Sequence, residues 1–202
     1  MFITFEGGEG AGKTTQINIL KKYLEDQGLE VIITREPGGV TSAENIRAVI
    51  FDNEIDPITE TMLYAAARRE HYIKKIKPAL DAGKIVICDR FIDSSIVYQG
   101  IVRSVGVDLV ENINKYVINN IEPDLTIFFD LDPEIGLKRV SLRNEQMNRF
   151  DKESLDFHLK VRKGYKLLSK TRNRFVLIDA SKSIEEVTKQ IINIMKISGV
   201  VK

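Results

Sequence analysis

The stretch Gly7-Gly8-Glu9-Gly10-Ala11-Gly12-Lys13-Thr14 satisfies the pattern G-x-x-x-x-G-K-[ST], and no other feature constrains the fold as tightly. A loop that wraps phosphate must point its backbone N–H groups inward, which needs glycines free of Cβ clashes. It belongs between a strand and a helix, because the helix N-terminus adds unpaired N–H groups and the positive end of its dipole. Both flanks are present. Phe2–Glu6 reads as a strand, and Thr14–Gln27 carries Ile17, Leu20 and Leu24 at helical spacing, with Gly28 as C-cap. Lys13 can reach the β- and γ-phosphates of a nucleoside triphosphate, and the Thr14 hydroxyl can ligate Mg²⁺. The motif specifies the ligand class and leaves the reaction open.

The rest of the chain alternates short apolar runs with longer helical patterns. Val31–Ile33, Ile85–Cys88, Leu125–Phe129 and Phe175–Ile178 read as further strands. Helical patterns cover Ala43–Ile50, Pro57–Ala82, Asp108–Asn119, Glu134–Leu142, Ser154–Ser169 and Ile184–Ile197. Apolar runs without alternation predict strands buried on both faces, and intervening helices predict right-handed crossovers. The expected fold is therefore α/β: three layers, with a five-stranded parallel sheet in one domain spanning residues 1–202. With 30 basic and 29 acidic residues the net charge is +1, which argues against a nucleic-acid coat. The single Cys88 sits in a strand and is expected to be a small core residue; it excludes an internal disulfide framework. No signal peptide and no run of apolar residues long enough to span a membrane stands out, so a cytoplasmic protein is expected. His71 and His158 fall in helical patterns far from any motif and are expected to be surface or structural residues. Lys182–Lys196 mixes charges on a helical pattern and is expected to present a solvated face.

Ligands of parallel sheets bind beyond the carboxyl ends of the strands, so the residues there are the candidates for chemistry. The second strand leads into Thr34-Arg35-Glu36-Pro37-Gly38-Gly39, where Pro37 holds Glu36 extended and the glycines permit a tight turn. The third leads into Asp89-Arg90-Phe91. Asp89 is placed to hold the Mg²⁺ shell, and Arg90 adds a cation suited to phosphate. Asp130, after the fourth strand, is a rival metal candidate; the Arg that follows Asp89 favours Asp89.

Four segments then become specific in combination. Phe5–Gln16, Arg35-Glu36-Pro37-Gly38-Gly39, Asp89-Arg90-Phe91 and Ser94-Ser95-Ile96-Val97-Tyr98-Gln99-Gly100 together resemble the thymidylate kinase family in order and spacing, over essentially the whole chain. The resemblance implies a P-loop kinase fold, the reaction ATP + dTMP → ADP + dTDP with Mg²⁺, and a homodimer. It implies ATP-binding roles for Gly7, Gly8, Glu9, Gly10, Ala11, Gly12, Lys13, Thr14 and Thr15, with Arg139 against adenine. It implies dTMP-binding roles for Glu9, Glu36, Arg47, Tyr64, Arg68, Arg90, Ser95, Tyr98 and Gln99. Among these, Arg47 and Arg90 match positions that hold the acceptor phosphate. Tyr64 replaces the family's more usual Phe as the aromatic that stacks on thymine. Arg68, four residues on, contacts the base oxygen. Tyr98 is placed to crowd a 2′-hydroxyl.

Residues 143–152 resemble the family's LID, which closes over ATP. The loop here has Gly10 and Ala11 and no Arg, so the chain is similar to the class whose LID supplies the cations. Arg143 and Arg149 are then catalytic candidates beside Lys13 and Arg90. An acceptor phosphate is largely ionised at neutral pH, since its second pKa is about 6, so no general base is required. A switch GTPase would need Asn-Lys-x-Asp, and Asn114-Lys115-Tyr116-Val117 fails it. The closest rival is a kinase for another monophosphate or for a deoxynucleoside, the latter with Glu36 as base.

Overall fold

The computed structural model describes residues 1–142, 149–150 and 152–201. Its five strands are β1 (Phe2–Gly7), β2 (Val31–Arg35), β3 (Ile85–Asp89), β4 (Leu125–Asp130) and β5 (Phe175–Asp179). They form one sheet in the order β2-β3-β1-β4-β5, with every pairing parallel. Each strand runs one or two residues beyond its apolar run, because ladder pairing continues into polar residues. Arg35 and Phe5 both pair with Asp89, and Asp130 pairs with Asp179. These polar ends are where a parallel sheet places its ligands.

The sheet is apolar on both faces. Ile3, Phe5, Ile87, Ile127 and Phe129 meet Leu20 and Leu24 of α1 (Lys13–Asp26) and Val187, Ile191 and Met195 of α9 (Ile184–Ile197). On the other face, Phe128 joins Val161, Tyr165 and Leu168 of α8 (Leu155–Thr171), while Phe2, Val86 and Cys88 join Tyr72, Ile76 and Phe91. A buried side chain of this size contributes ~1.5–3 kcal/mol, so two such layers suffice for one domain. Cys88 is the core residue expected, its thiol donating to the Arg90 carbonyl at 3.0 Å. The C-terminal helix is solvated on one side only, since Val187, Ile191 and Met195 are buried at every fourth position.

The remaining helices are α2 (Thr41–Asp52), α3 (Pro57–His71), α4 (Lys77–Asp81), α5 (Ile92–Ser95), α6 (Val107–Val117) and α7 (Pro133–Ser141). The single helix expected over Pro57–Ala82 is continuous but widened. Residues Tyr72–Ile76 form a π-helical turn, and the Lys77 N–H donates to the Tyr72 carbonyl. Pro78 follows directly; its ring would clash with the Lys74 carbonyl in a regular helix, and the wider turn relieves that. The Ser94–Gly100 motif is also helical, which its spacing did not reveal. α5 runs into a second π-helical segment, Ile96–Val102. Among the described residues no helix is long and apolar enough to cross a membrane.

Candidate active site

The glycine loop joins β1 to α1 as expected. Gly10 and Gly12 take φ of +68° and +87°, a region that excludes most side chains. Gly10 also lacks room: a Cβ there would lie 2.2 Å from the carbonyl oxygen of Gly136 on α7. Gly136 is equally tight against Glu9, so two glycines let a helix press onto the loop backbone. Lys13 arches back over the loop, donating to the carbonyls of Gly7 at 3.2 Å and Gly8 at 2.9 Å. Burial and the nearby Arg90 cation hold its amine below the usual lysine value, against Asp89, Glu9 and Glu6.

Asp89 and Asp130 end the two strands that flank β1, and their surroundings differ. The Thr14 hydroxyl donates to Asp89 Oδ2 at 3.3 Å. Asp89 Oδ1 is buried and has no protein partner among the described residues. A buried carboxylate oxygen left open beside a hydroxyl is a hard-oxygen donor set that fits Mg²⁺, which takes one or two carboxylates plus substrate phosphate. Asp130 instead accepts from Arg162 at 2.6 Å and pairs with Lys166 at 2.9 Å. Burial opposes its ionisation, but those two cations hold its carboxyl below the ordinary aspartate value.

Arg90 adopts φ +68° directly after β3. Its guanidinium donates to Glu9 Oε1 at 2.7 Å and lies 5.2 Å over the Tyr98 ring. Burial pushes the Glu9 carboxyl up, but Arg90 and then Lys13 outweigh it and keep it below the usual carboxylate range. Beneath Arg90 lies Glu6, which sequence reasoning did not single out. Its carboxylate accepts from the Phe91 N–H at 2.8 Å, the Ser94 hydroxyl at 2.6 Å and the Tyr165 hydroxyl at 2.8 Å. Burial, and then the Asp93 charge, push Glu6 up to about 7. Asp93 is itself buried between Arg172 and Arg174, at 3.0 and 2.6 Å.

At the other end of the cavity Arg68 is only 2 % exposed. It donates to Glu36 Oε2 at 2.7 Å, to Asn114, and to the Phe91 carbonyl and Ser95 hydroxyl at 3.1 Å each. The second Glu36 oxygen meets His71 Nδ1 at 3.0 Å, and His71 Nε2 meets the Thr34 hydroxyl at 2.6 Å. His71 is therefore structural and fully buried, not a surface residue; His158 is likewise buried. Both sit in helices whose inward faces the chain needs, so charge alone was no guide to exposure. Glu60, buried on α3, accepts from the Gln99 side-chain amide at 2.9 Å and pairs with Arg149 at 3.0 Å.

A cavity of about 680 Å³ gathers these groups. Glu9, Gly10, Ala11, Gly12, Lys13, Thr14, Thr15, Arg35, Glu36, Arg47, Tyr64, Arg68, Asp89, Arg90, Ser95, Tyr98 and Gln99 all line it, as expected from the sequence. Gly7 and Gly8 sit behind it as acceptors for Lys13. Arg139 lies off the cavity, donating to the carbonyls of Gly10 at 3.5 Å and Ala180 at 3.3 Å. Arg149 stands on the α3 side, not over the loop. Arg143 lies outside the described residues, as does most of the LID. Arg35 reaches the rim, but its guanidinium is held by Glu44 at 2.8 and 3.2 Å. Phe91, from the Asp89-Arg90-Phe91 segment, also lines the cavity, as do Phe51 and Phe150, the latter two not anticipated. Their only sequence signal is aromaticity, which core residues share.

The family model for thymidylate kinase matches residues 5–191. Thymidylate kinase of Geobacillus sp. strain WCH70 is 51% identical over 191 residues, covering 92% of this chain and 91% of the relative. That of Shouchella clausii is 53% identical over 206 residues, covering 98% and 97%. The crystal structure of thymidylate kinase from Ehrlichia chaffeensis superposes with a TM-score of 0.80 at 35% identity, covering 97% of this chain and 98% of that one. A glycine loop with its Lys, Thr and Asp, a basic acceptor pocket in the same cavity and relatives of this closeness converge on one conclusion: the chain belongs to the thymidylate kinase family.

Proposed function

We propose that the chain is a thymidylate kinase that transfers the γ-phosphoryl group of ATP to dTMP, giving ADP and dTDP. The observation that carries this reading is that one cavity holds both a triphosphate loop and a basic pocket large enough for a nucleotide. The loop amides and Lys13 hold the β- and γ-phosphates. Thr14 and Asp89 hold Mg²⁺, which when bound neutralises phosphate charge. Arg90 and Arg47 orient the acceptor phosphate, whose oxygen is already ionised near neutral pH. Charge spreads over the transferred group in the transition state, so fixed cations supply most of the stabilisation. Arg149 and Arg143 are the LID cations of this reading, and Arg139 flanks adenine.

Tyr64 offers its ring to the base, Arg68 and Gln99 its polar edge, and Ser95 supports Arg68. Tyr98, donating to Glu9 at 3.5 Å, excludes a 2′-hydroxyl. Glu36 anchors Arg68 and is engaged at both oxygens, which disfavours it as the general base of a deoxynucleoside kinase. Exposed Val49, Ile58, Met62 and Leu109 on α2, α3 and α6 support a homodimer, which light scattering would test. The reading places the enzyme in the cytoplasm with nucleotides, and not a nucleic acid or a membrane, as its partners.

The test is ADP release from ATP and Mg²⁺ with a panel of monophosphates and thymidine. dTMP is expected to be best, with dUMP turned over at ~10–200-fold lower kcat/KM, the worth of one methyl in an apolar pocket. Preference for UMP, CMP, AMP or thymidine would overturn the assignment.

A further inference from the structure

Glu60 belongs to none of the sequence motifs, yet it is a carboxylate 1 % exposed beside the pocket. It touches two groups that matter: the Gln99 amide at 2.9 Å and Arg149 at 3.0 Å. A carboxylate beside a guanidinium offers acceptors only. Gln99 must therefore turn its NH₂ toward Glu60. Gln99 is itself almost wholly buried, at 1 % exposure, and lines the cavity. Its carbonyl oxygen is the end left to face a ligand. Arg68 stands at the same end with four of its N–H groups bonded to Glu36, Asn114, Phe91 and Ser95. A guanidinium has five, and Arg68 lines the cavity beside Gln99.

We propose that Glu60 is a specificity-determining residue, which fixes the sense of the Gln99 amide so that the pocket presents an acceptor beside the Arg68 donor. That pair is complementary to a base edge carrying N–H next to C=O, as in thymine and uracil. Cytosine reverses both: its ring nitrogen accepts and its amino group donates, so each would face a like partner. Rejection then comes from unpaired buried groups, which discriminate far more strongly than a missing methyl. Were Glu60 neutral and able to donate, Gln99 would be free to turn over and the discrimination would vanish. Arg149 holds the second Glu60 oxygen at 3.0 Å, which leaves the first for the Gln99 amide. The inference rests on the proposed dTMP reading and assigns within it the residue that selects keto over amino pyrimidines.

The experiment compares kcat/KM for dTMP and dCMP in the wild-type enzyme, in Glu60→Gln, and in the exchange variant Glu60→Gln with Gln99→Glu. In the single variant the dTMP-over-dCMP ratio is expected to fall by ~100-fold or more, with KM for ATP nearly unchanged. In the exchange variant the new Gln donates to the new Glu, whose other oxygen faces the base, so the ratio returns toward wild type. An unchanged ratio in folded Glu60→Gln overturns the inference while leaving the dTMP reading intact. A wild-type enzyme that prefers dCMP, or ignores dTMP, overturns the dTMP reading itself. Should the variants not fold, NMR of the wild-type dTMP complex decides. Contacts between the Gln99 NH₂ protons and the Glu60 methylenes support the inference; contacts from those protons to the base overturn it.

Discussion

The two ends of the cavity are built in different ways. The end proposed for the phosphate donor is one unbroken stretch, Gly7–Thr15, which offers backbone amides, a lysine and a hydroxyl. The acceptor end is assembled from β2, α3, β3, the π-helical segment and α6, and nearly every charge in it already has a partner. Arg68 holds Glu36, Arg90 holds Glu9, and Arg149 holds Glu60. The contrast teaches that, in the proposed reading, phosphate is met by a local backbone shape, whereas the base is met by side chains that first immobilise one another. Damage at the first end should therefore cost chemistry, and damage at the second should cost stability and selectivity.

Lys13→Ala should break the comparison most visibly, lowering kcat by ~10³-fold or more while the unfolding midpoint stays close to wild type. A large loss of stability would mean that Lys13 supports the fold as much as the reaction. Arg68→Ala should do the reverse. It leaves Glu36 buried without its cation, and breaking a buried pair costs ~3–5 kcal/mol, measurable by urea unfolding. Unchanged stability would show that the acceptor end is not self-supporting.

Glu6 sharpens the comparison through pH. Its folded pKa of about 7 lies above the unfolded value of 4.5, so the native state binds more protons between these limits. Stability is then greatest at the acid end of this window and falls as pH rises toward 7, by about 3 kcal/mol at 1.36 kcal/mol per unit. Glu6→Gln, followed by urea unfolding from pH 4.5 to 7.5, should flatten that slope. A slope that survives the substitution would assign it to other groups. Asp89→Asn is the mildest change: the Mg²⁺ concentration for half-maximal rate should rise ~10–100-fold, with thermal stability little altered. An unshifted Mg²⁺ requirement would return Asp130 to consideration despite its engagement with Arg162 and Lys166.

Much of the donor end was legible without coordinates. The glycine pattern, the flanking strand and helix, and Asp89 all follow from short-range spacing and from the rule that parallel sheets bind ligands at strand ends. The acceptor residues Arg68, Tyr64 and Gln99 were legible through family resemblance, not from spacing. Glu6, Glu60 and Asn114 were given no role, and His71 was read only as a surface or structural residue. Each is a polar residue inside an apolar or helical run, where sequence predicts a solvated or satisfied side chain and says nothing of its partner. The π-helical segment at Ile96–Val102 was also missed, because a wider turn leaves no distinct hydropathic period in so few residues.

The amino-acid sequence by itself determined the phosphate loop, the five parallel strands and the helices that cross between them. These depend on interactions between near neighbours and on burial along each segment. Tertiary structure alone decided that Asp130 is taken up by Arg162 and Lys166 while Asp89 stands beside Thr14, and that Glu36 is engaged at both oxygens. It also decided that Glu60 faces Gln99. Those outcomes depend on distances of about 3 Å between residues dozens of positions apart, such as Glu36 with Arg68 and Glu60 with Gln99. Hydrogen bonds and buried ion pairs act only at such range, so their partners exist as partners only once the chain has folded.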